Sequence, residues 1–228
     1  MKIKNLLRKL ILLLSSNIKT IRLLLIIDNY LYKIVSQSSV KVNKGIHPKH
    51  DIVRYNKWFA SKIKKNWIIL DIGCGHGYLT KYISNHCKQV IGIEINQKDH
   101  LTAKKINSNS NITYINADAT TYDYNQIGNI DCIILSNVLE HIEYRKEFFK
   151  EIITKLNKKI HILIRVPSIE RDWYDVYKKN LGIDYRLDST HFIEYTKEEF
   201  FNEIKSFGLA LVSFEMNFGE FYAVCKKE

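Results

Sequence analysis

The sequence predicts an α/β fold, a doubly wound and mostly parallel sheet of seven strands that follows an N-terminal helical extension. Short apolar runs alternate with helical patterns from about residue 67 onward, and this alternation is typical of parallel strands joined by helical crossovers. A chain of 228 residues with 46% apolar residues is long enough for one such domain with a substantial core. A glycine-rich turn after the first of these strands supports the same fold.

The first strand leads into that turn, LDIGCGHG at 70–77. Gly73, Gly75 and Gly77 permit a sharp backbone turn before the helix that YLTKYIS predicts. The spacing is G-x-G-x-G, and Tyr78 stands where the dinucleotide pattern G-x-G-x-x-G has its last glycine, so a pyrophosphate site is disfavoured. The turn predicts a small ligand at the carboxyl end of the strand.

Polar side chains follow the next three predicted strands. Glu94 ends the strand VIGIE, Asp118 follows the strand ITYIN, and Asn137 follows the strand DCIILS. An acid in the first of these positions suits two ribose hydroxyls, and a carboxylate in the second can accept a hydrogen bond from an adenine amino group. We expect the ligand above these strand ends, at the switch in strand order.

The residues at these successive strand ends occur in the same order as in the class I S-adenosylmethionine-dependent methyltransferases, which the chain resembles over roughly residues 50–228. The resemblance implies S-adenosylmethionine as cofactor, with the glycine turn under its methionine and ribose, Glu94 on the ribose diol and Asp118 on adenine. The cofactor-binding residues expected on this basis are Asp71, Gly73, Cys74, Gly75, Gly77, Glu94, Ile95, Asp118, Ala119, Ser136 and Asn137.

The remaining elements fit the same fold. Helices are predicted near 77–86, 97–107 and 144–156, and a fifth strand at 159–166. An insertion at 167–195 precedes the helix KEEFFNEIKSFG and two final strands. Those strands are close enough in sequence to form an antiparallel hairpin, which matches the reversed seventh strand of the resembled fold.

The positive charge is concentrated in the N-terminal extension, which the sequence assigns to residues 1–48, ahead of a methyltransferase domain at 49–228. Residues 1–50 contain ten Lys or Arg and one acid, Asp28, for a net charge of +9, whereas the other 178 carry 25 minus 23, or +2. Enzymes that methylate nucleic acid usually spread positive charge around the substrate cleft. We therefore expect no nucleic-acid partner.

The apolar runs of this extension, LILLL at 10–14 and LLLII at 23–27, are too short to span a bilayer, which takes about 20 apolar residues. Two interpretations stay open: basic amphipathic helices on an anionic membrane surface, or helices that pack on the domain or on a partner subunit, as in a homodimer. We favour packing, since apolar helical stripes more often belong to a core. Four scattered cysteines and the lack of a secretory signal indicate a cytoplasmic protein.

A hydroxyl acceptor would need a base, because methyl transfer from a sulfonium otherwise requires mainly alignment and the exclusion of water. His191 is the favoured base, with Glu194 orienting its ring, and the alternative is His141 with Glu140. An ion such as Mg²⁺ or Mn²⁺ could instead lower the acceptor pKa. The donors considered for it are Glu140, His141, Asp188, His191 and Glu194, whose spacing alone does not establish a metal site.

The acceptor class is suggested by further resemblances. SNVLEH, after the fourth strand, lacks the D/N/S-P-P-Y/F sequence of nucleobase amino methyltransferases. The segment LEHI instead resembles small-molecule O-methyltransferases, including quinone-ring enzymes. HPKH, RVPSIERDW and DYRLDSTHFIEYT resemble methyltransferases associated with bacterial surface-polysaccharide assembly. These resemblances imply O-methylation of a sugar hydroxyl, free or nucleotide-linked, in capsule or lipopolysaccharide synthesis.

Aromatic rings can stack on a sugar, and arginines can hold a uronate or a phosphate. The substrate-binding residues expected for this reason are Arg165, Arg171, Trp173, Tyr174, Tyr185 and Arg186. His47 and His50 are expected to reach the same pocket from a lid formed by HPKH. Two alternatives remain. One is a quinone or lipid O-methyltransferase at the membrane surface, and the other is a cofactor-binding interaction protein without catalysis.

Overall fold

The computed structural model describes residues 5, 9, 12, 17–156 and 160–227. The described residues form two compact units, one from Met1–Ile52 with Asp172–Arg186 and one from Val53–Arg171 with Leu187–Glu228. The middle of the expected insertion is thus grouped with the N-terminal segment. The division of the chain into an extension and a domain at residue 48 stays a prediction.

The second unit is built on one seven-stranded sheet, which confirms the predicted fold class. Its strands are β1 (Ile68–Ile72), β2 (Gln89–Glu94), β3 (Ile112–Asn116), β4 (Cys132–Ser136), β5 (His161–Pro167), β6 (Leu209–Asn217) and β7 (Glu220–Lys227). They lie in the order β3-β2-β1-β4-β5-β7-β6; β7 runs antiparallel to both β5 and β6, and the other neighbouring pairs are parallel. The strand order switches between β1 and β4, where ligands bind in sheets of this kind.

Helices separate most of these strands. The described helices are α1 (Ile18–Val42), α2 (Lys49–Val53), α3 (Tyr55–Lys62), α4 (Tyr78–Ser84), α5 (Gln97–Ile106), α6 (Arg145–Lys155), α7 (Trp173–Asn180) and α8 (Lys197–Ser206). Successive residues of a strand point to opposite faces of the sheet. Accordingly, Leu70 of β1 belongs to a buried cluster with Phe149 of α6, and Ile69 belongs to a second cluster with Phe59 of α3.

In the first unit, α1 contacts the segment 172–186. The Lys178 Nζ lies 3.2 Å from an Asp28 carboxylate oxygen, and the Asn29 side chain donates to the Asp184 carbonyl at 2.6 Å. None of the helices that the structure describes has the length and apolar composition that crossing a bilayer requires. The apolar run predicted at 10–14 lies outside the described residues, apart from Leu12.

Candidate active site

The turn between β1 and α4 is shaped by three glycines in the left-handed region, with φ of +65° at Gly73, +53° at Gly75 and +78° at Gly77. A Cβ on Gly77 would collide with the Tyr114 hydroxyl, whereas a Cβ on Gly75 would meet no atom within 4 Å. Gly77 is therefore required by packing. Gly75 leaves open space on the side of the turn where a ligand can approach the backbone.

Glu94 at the end of β2 is buried and tied to this turn. One carboxylate oxygen accepts a hydrogen bond from the Gly75 amide at 2.8 Å, and the other accepts from the Asn96 amide at 2.8 Å. Each carboxylate oxygen has two lone pairs, so both can still accept from a ligand. The two oxygens are thus held in place with acceptor capacity to spare, and the expected role of Glu94 on a ribose diol stays a prediction.

Two other residues expected to bind the cofactor, Asp71 and Cys74, make contacts that stabilise the glycine turn. The Asp71 carboxyl is buried and accepts from the Thr80 hydroxyl at 2.6 Å, which links β1 to α4. Burial, opposed by this hydrogen bond and assisted by the charge of Glu94, raises the pKa of Asp71 to about 7. The Cys74 amide donates to the Ile93 carbonyl at 3.0 Å, and its thiol occupies the space that a side chain at residue 92 would need.

A cleft of about 790 Å³ lies beside the end of β3. Ile95, Asp118 and His141 line it, together with aromatic side chains that the sequence did not single out, Tyr122, Tyr144, Phe148 and Phe192. Asp118 is fixed by the amide and hydroxyl of Thr120, at 2.8 and 2.7 Å. A residue expected to contact adenine and a candidate catalytic histidine therefore share one cleft.

The expected pairing of His191 with Glu194 is present. His191 is 6% exposed, and its Nδ1 lies 2.8 Å from a Glu194 carboxylate oxygen. Although burial opposes ionisation of Glu194, the hydrogen bond from His191 and the charge of Arg171 hold the pKa of this carboxyl below its usual value. An ionised Glu194 accepts from Nδ1, so the proton of a neutral ring is on Nδ1 and Nε2 is the basic nitrogen.

The alternative pairing of His141 with Glu140 is wrong. His141 Nδ1 lies 2.9 Å from the Thr190 hydroxyl, and the His141 ring packs edge-on against His191 with 4.6 Å between centroids. Glu140 is fully buried, and neither of its oxygens has a hydrogen-bond partner among the described residues. Burial raises the pKa of Glu140 to about 7. The sequence does not predict the contact between Thr190 and His141, because nothing in the local sequence of Thr190 links it to residue 141.

Of the five metal donors considered from the sequence, the structure brings three together. One donor atom each from Glu140, His141 and His191 lies within 4.8 Å of the others. The other two donors are engaged elsewhere. The Glu194 carboxylate hydrogen-bonds to His191 and pairs with Arg171, and the Asp188 carboxylate accepts from the Thr190 amide and hydroxyl at 2.9 and 2.8 Å. A buried carboxylate that has no hydrogen-bond partner in the described part of the chain, beside two imidazoles, fits a divalent cation, which accepts both donor types.

The burial of Glu140 makes stability depend on pH. Its pKa is about 7 in the folded protein against a usual 4.5, so the folded state holds the proton more tightly. The stability that this group contributes is therefore greatest at low pH and is lost as the pH rises from about 4.5 to about 7.

In metal-free buffer, the Glu140→Gln variant should have a higher free energy of unfolding than the wild type at about pH 8, and the difference should be much smaller at about pH 5. Urea unfolding measures this, and an equal change at both pH values would contradict it.

Two arginines expected to bind substrate are engaged elsewhere. Arg165 is 3% exposed and makes a two-pronged ion pair with Glu220, at 2.7 and 2.9 Å. It also donates to the Ser136 hydroxyl at 3.0 Å, and its guanidinium stacks 3.9 Å from the centroid of the Tyr55 ring. Arg171 pairs with Glu194. Buried carboxylates already neutralise both charges, so the structure does not favour their expected role in holding an anionic substrate, and that role stays a prediction.

The backbone around β4 explains two further expected residues. Asn137 adopts a left-handed conformation with φ of +57°, and its amide donates to the Arg165 carbonyl at 2.8 Å. The Asn137 side-chain oxygen is buried without a hydrogen-bond partner among the described residues. The Ala119 carbonyl accepts from the Tyr124 hydroxyl at 2.6 Å. Asn137 thus has an oxygen available for a ligand, whereas Ala119 supports the loop after β3.

The remaining expected substrate residues belong to the first unit. His47 uses both ring nitrogens there: Nδ1 accepts from the Lys49 amide at 3.1 Å, and Nε2 lies 3.1 Å from the Ser36 hydroxyl. His47 therefore caps the start of α2, and its expected role in substrate binding stays a prediction. Arg186 pairs with Asp184 at 2.9 Å, which likewise engages its charge.

The other members of this set are His50, Trp173, Tyr174 and Tyr185. The His50 ring lies 6.5 Å from that of His47, and Trp173 is 73% exposed. Lys178 and Lys179 approach the rings of Tyr174 and Tyr185, at 4.6 and 5.6 Å from the centroids. A role for these four residues in substrate binding stays a prediction.

Comparison with known proteins agrees with the fold and the glycine turn. Residues 70–164 match the family model described as a methyltransferase domain. The ubiquinone biosynthesis O-methyltransferase of Bradyrhizobium diazoefficiens is 28% identical over 119 residues, which are 52% of this chain and 46% of that protein. The chain thus matches less than half the length of this relative.

Solved structures show the same fold at low sequence identity. A methyltransferase from Anabaena variabilis superposes with a TM-score of 0.60 at 19% identity, over 79% of this chain and 85% of the other. One from Aquifex aeolicus gives 0.61 at 14% identity, over 82% and 97%. Both are S-adenosylmethionine-dependent methyltransferases. The chain therefore contains a segment, residues 70–164, that matches a methyltransferase domain, and it has the fold of the class I S-adenosylmethionine-dependent methyltransferases.

Proposed function

We propose that the protein transfers a methyl group from S-adenosylmethionine to a hydroxyl oxygen, with His191 as the general base. The observation that carries this proposal is the buried hydrogen bond between His191 and Glu194, next to His141 of the cleft. A hydroxyl is a weak nucleophile until it loses its proton. An imidazole whose ring is oriented by an ionised carboxylate is suited to accept that proton.

One group of residues would bind the cofactor, and another would accept the proton of the acceptor hydroxyl. When bound, the cofactor supplies a methyl group already activated on its sulfonium sulfur. Glu94 would hold the ribose hydroxyls, and the open side of Gly75 would admit the ligand to the backbone. As the new O–C bond forms and the S–C bond breaks, His191 Nε2 accepts the hydroxyl proton, and Glu194 stabilises the resulting imidazolium.

For the acceptor we propose a sugar hydroxyl, as in the synthesis of a surface polysaccharide. Tyr122, Tyr144 and Phe192 give the cleft aromatic walls of the kind that stack on sugar rings. The described lining contains five acids and neither lysine nor arginine. Together with the ion-paired arginines, this composition favours a neutral acceptor over a uronate or a nucleotide-linked phosphate.

A hydroquinone is the second candidate acceptor. The observation that favours it is the partial match to the ubiquinone O-methyltransferase, which is 28% identical over 119 residues. A phenolic hydroxyl is more acidic than a sugar hydroxyl and so needs a weaker base. The same His191–Glu194 pair could serve both acceptors, and only a direct assay separates them.

The assay uses the full chain, S-adenosylmethionine and a panel of neutral sugars, nucleotide sugars, hydroquinones and a short RNA. We expect a product one methyl group heavier from a sugar or a hydroquinone, detected by mass spectrometry. Release of S-adenosylhomocysteine without a methylated product from any hydroxyl compound, or methylation of the RNA alone, would contradict the proposal.

As the alternative to a histidine base, we propose that a divalent cation binds at Glu140, His141 and His191 and lowers the pKa of the acceptor hydroxyl. Because Glu194 already engages Nδ1 of His191, the cation would take Nε2, and His191 would then not act as the base. Because Glu140 lacks a hydrogen-bond partner among the described residues, a cation would compensate its charge. Calorimetric titration of the EDTA-treated protein with Mn²⁺ should show one site, and Glu140→Gln should weaken it by about tenfold or more. Glu143→Gln, an exposed neighbour, is the matched control. Equal Mn²⁺ affinity in the wild type and Glu140→Gln would exclude the site.

A further inference from the structure

One face of α1 is apolar and exposed. Leu23, Ile27, Tyr30 and Ile34 follow one another at helical spacing, and their exposed fractions are 56, 44, 66 and 43%. Three neighbours with exposed fractions of 42 to 66% widen this face. We call the whole set the apolar stripe; it consists of Leu23, Leu24, Ile27, Tyr30, Leu31, Ile34 and Val35. Contiguous exposed apolar surface of this extent usually marks an interaction site.

The stripe is not the face by which α1 contacts the rest of its unit. Leu25 is 3% exposed, Asp28 pairs with Lys178, and Asn29 donates to the Asp184 carbonyl. These three residues lie on the side of the helix away from Ile27 and Ile34, since one residue corresponds to a rotation of about 100°. The internal contacts of the unit therefore leave the stripe uncovered.

The charge around the stripe is of one sign. Asp28 is the only acid in residues 1–50, and it belongs to the contacting face, where Lys178 pairs with it. Lys19 lies one turn before Leu23, and Lys41 lies two turns after Ile34, so exposed lysines stand at both ends of the stripe. Apolar residues between lysines, in a segment of net charge +9, are typical of helices that lie in a membrane interface.

We propose that the apolar stripe docks on an anionic lipid surface, with α1 lying in the plane of the interface. A negative surface attracts the segment that carries the stripe, and the lysine chains can reach the headgroups while their stems cover apolar surface. A second copy of the chain would instead bring two segments of +9 together, which their repulsion opposes. This proposal does not depend on which acceptor the enzyme methylates.

Vesicle sedimentation with the full chain tests the proposal. We expect binding to vesicles of phosphatidylcholine with about one quarter phosphatidylglycerol, weaker binding to phosphatidylcholine alone, and release by salt. A triple variant, Leu23→Ser with Ile27→Ser and Ile34→Ser, should lower partitioning by about tenfold or more. The matched control, Leu101→Ser with Ile106→Ser and Val212→Ser, removes exposed apolar side chains from the second unit and should bind like the wild type.

A charge variant separates the two parts of the interaction. Lys19→Gln with Lys33→Gln and Lys41→Gln should keep the stripe and weaken the preference for phosphatidylglycerol, because the net charge of residues 1–50 falls from +9 to +6. Circular dichroism establishes that each variant is folded. Equal binding by the wild type and the stripe variant would overturn the proposal. So would a dimer in sedimentation equilibrium that the stripe variant abolishes while vesicles bind neither protein, because the stripe would then join two copies of the chain.

Discussion

His191→Ala should lower kcat for methyl transfer by about a hundredfold to ten-thousandfold, the range that general-base catalysis supplies. His191 is buried beside the cleft residue His141, and its Nδ1 is held 2.8 Å from Glu194. The alanine variant loses the proton acceptor but keeps the glycine turn and Glu94. The dissociation constant of S-adenosylmethionine, measured by calorimetry, should therefore stay within about threefold of the wild-type value.

Two further variants make the His191 prediction specific. Glu194→Gln keeps the shape of the side chain but removes the charge that orients and stabilises the ring, so kcat should also fall. His86→Ala removes a histidine whose ring stacks on Tyr82, and it should leave kcat unchanged. Full turnover in His191→Ala would exclude it as the base. A parallel loss of cofactor affinity would instead indicate a structural role.

The strands and the glycine turn could be predicted because their signals are local. An apolar strand that ends in an acid or a glycine determines both the direction of the chain and the edge at which that residue lies. Glu94 illustrates this, since its expected place beside the turn is the place where it accepts from the Gly75 amide. The pairing of His191 with Glu194 was also local, because only two residues separate them.

Contacts between distant parts of the chain could not be predicted in this way. Arg165 and Glu220 are 55 residues apart, and they meet only because β5 and β7 pair in one register. His141 and Thr190 are 49 residues apart. A lone arginine in a sequence is equally compatible with a substrate phosphate or a buried carboxylate. Its role follows from a partner that the local pattern does not indicate.

Glu220→Ala should destabilise the protein by about 3–5 kcal/mol, because it leaves the Arg165 guanidinium buried without its counter-ion. The pair is nearly inaccessible, with side-chain exposures of 4 and 9%, so solvent screens it little. Asp184→Ala is the control, since it breaks the more exposed pair with Arg186, and it should cost less than about 1 kcal/mol. Urea unfolding measures both values.

The double variant Arg165→Met with Glu220→Leu distinguishes an ion pair required for packing from a residue that binds substrate. Removing both charges should recover at least half of the stability lost in Glu220→Ala, because no buried charge remains uncompensated. Tyr222 and Ser136, which hydrogen-bond to the pair, limit the recovery. If Arg165 only packs, the double variant should keep the acceptor KM of the wild type. A stable double variant with a greatly raised acceptor KM would mean that Arg165 reaches the substrate after all.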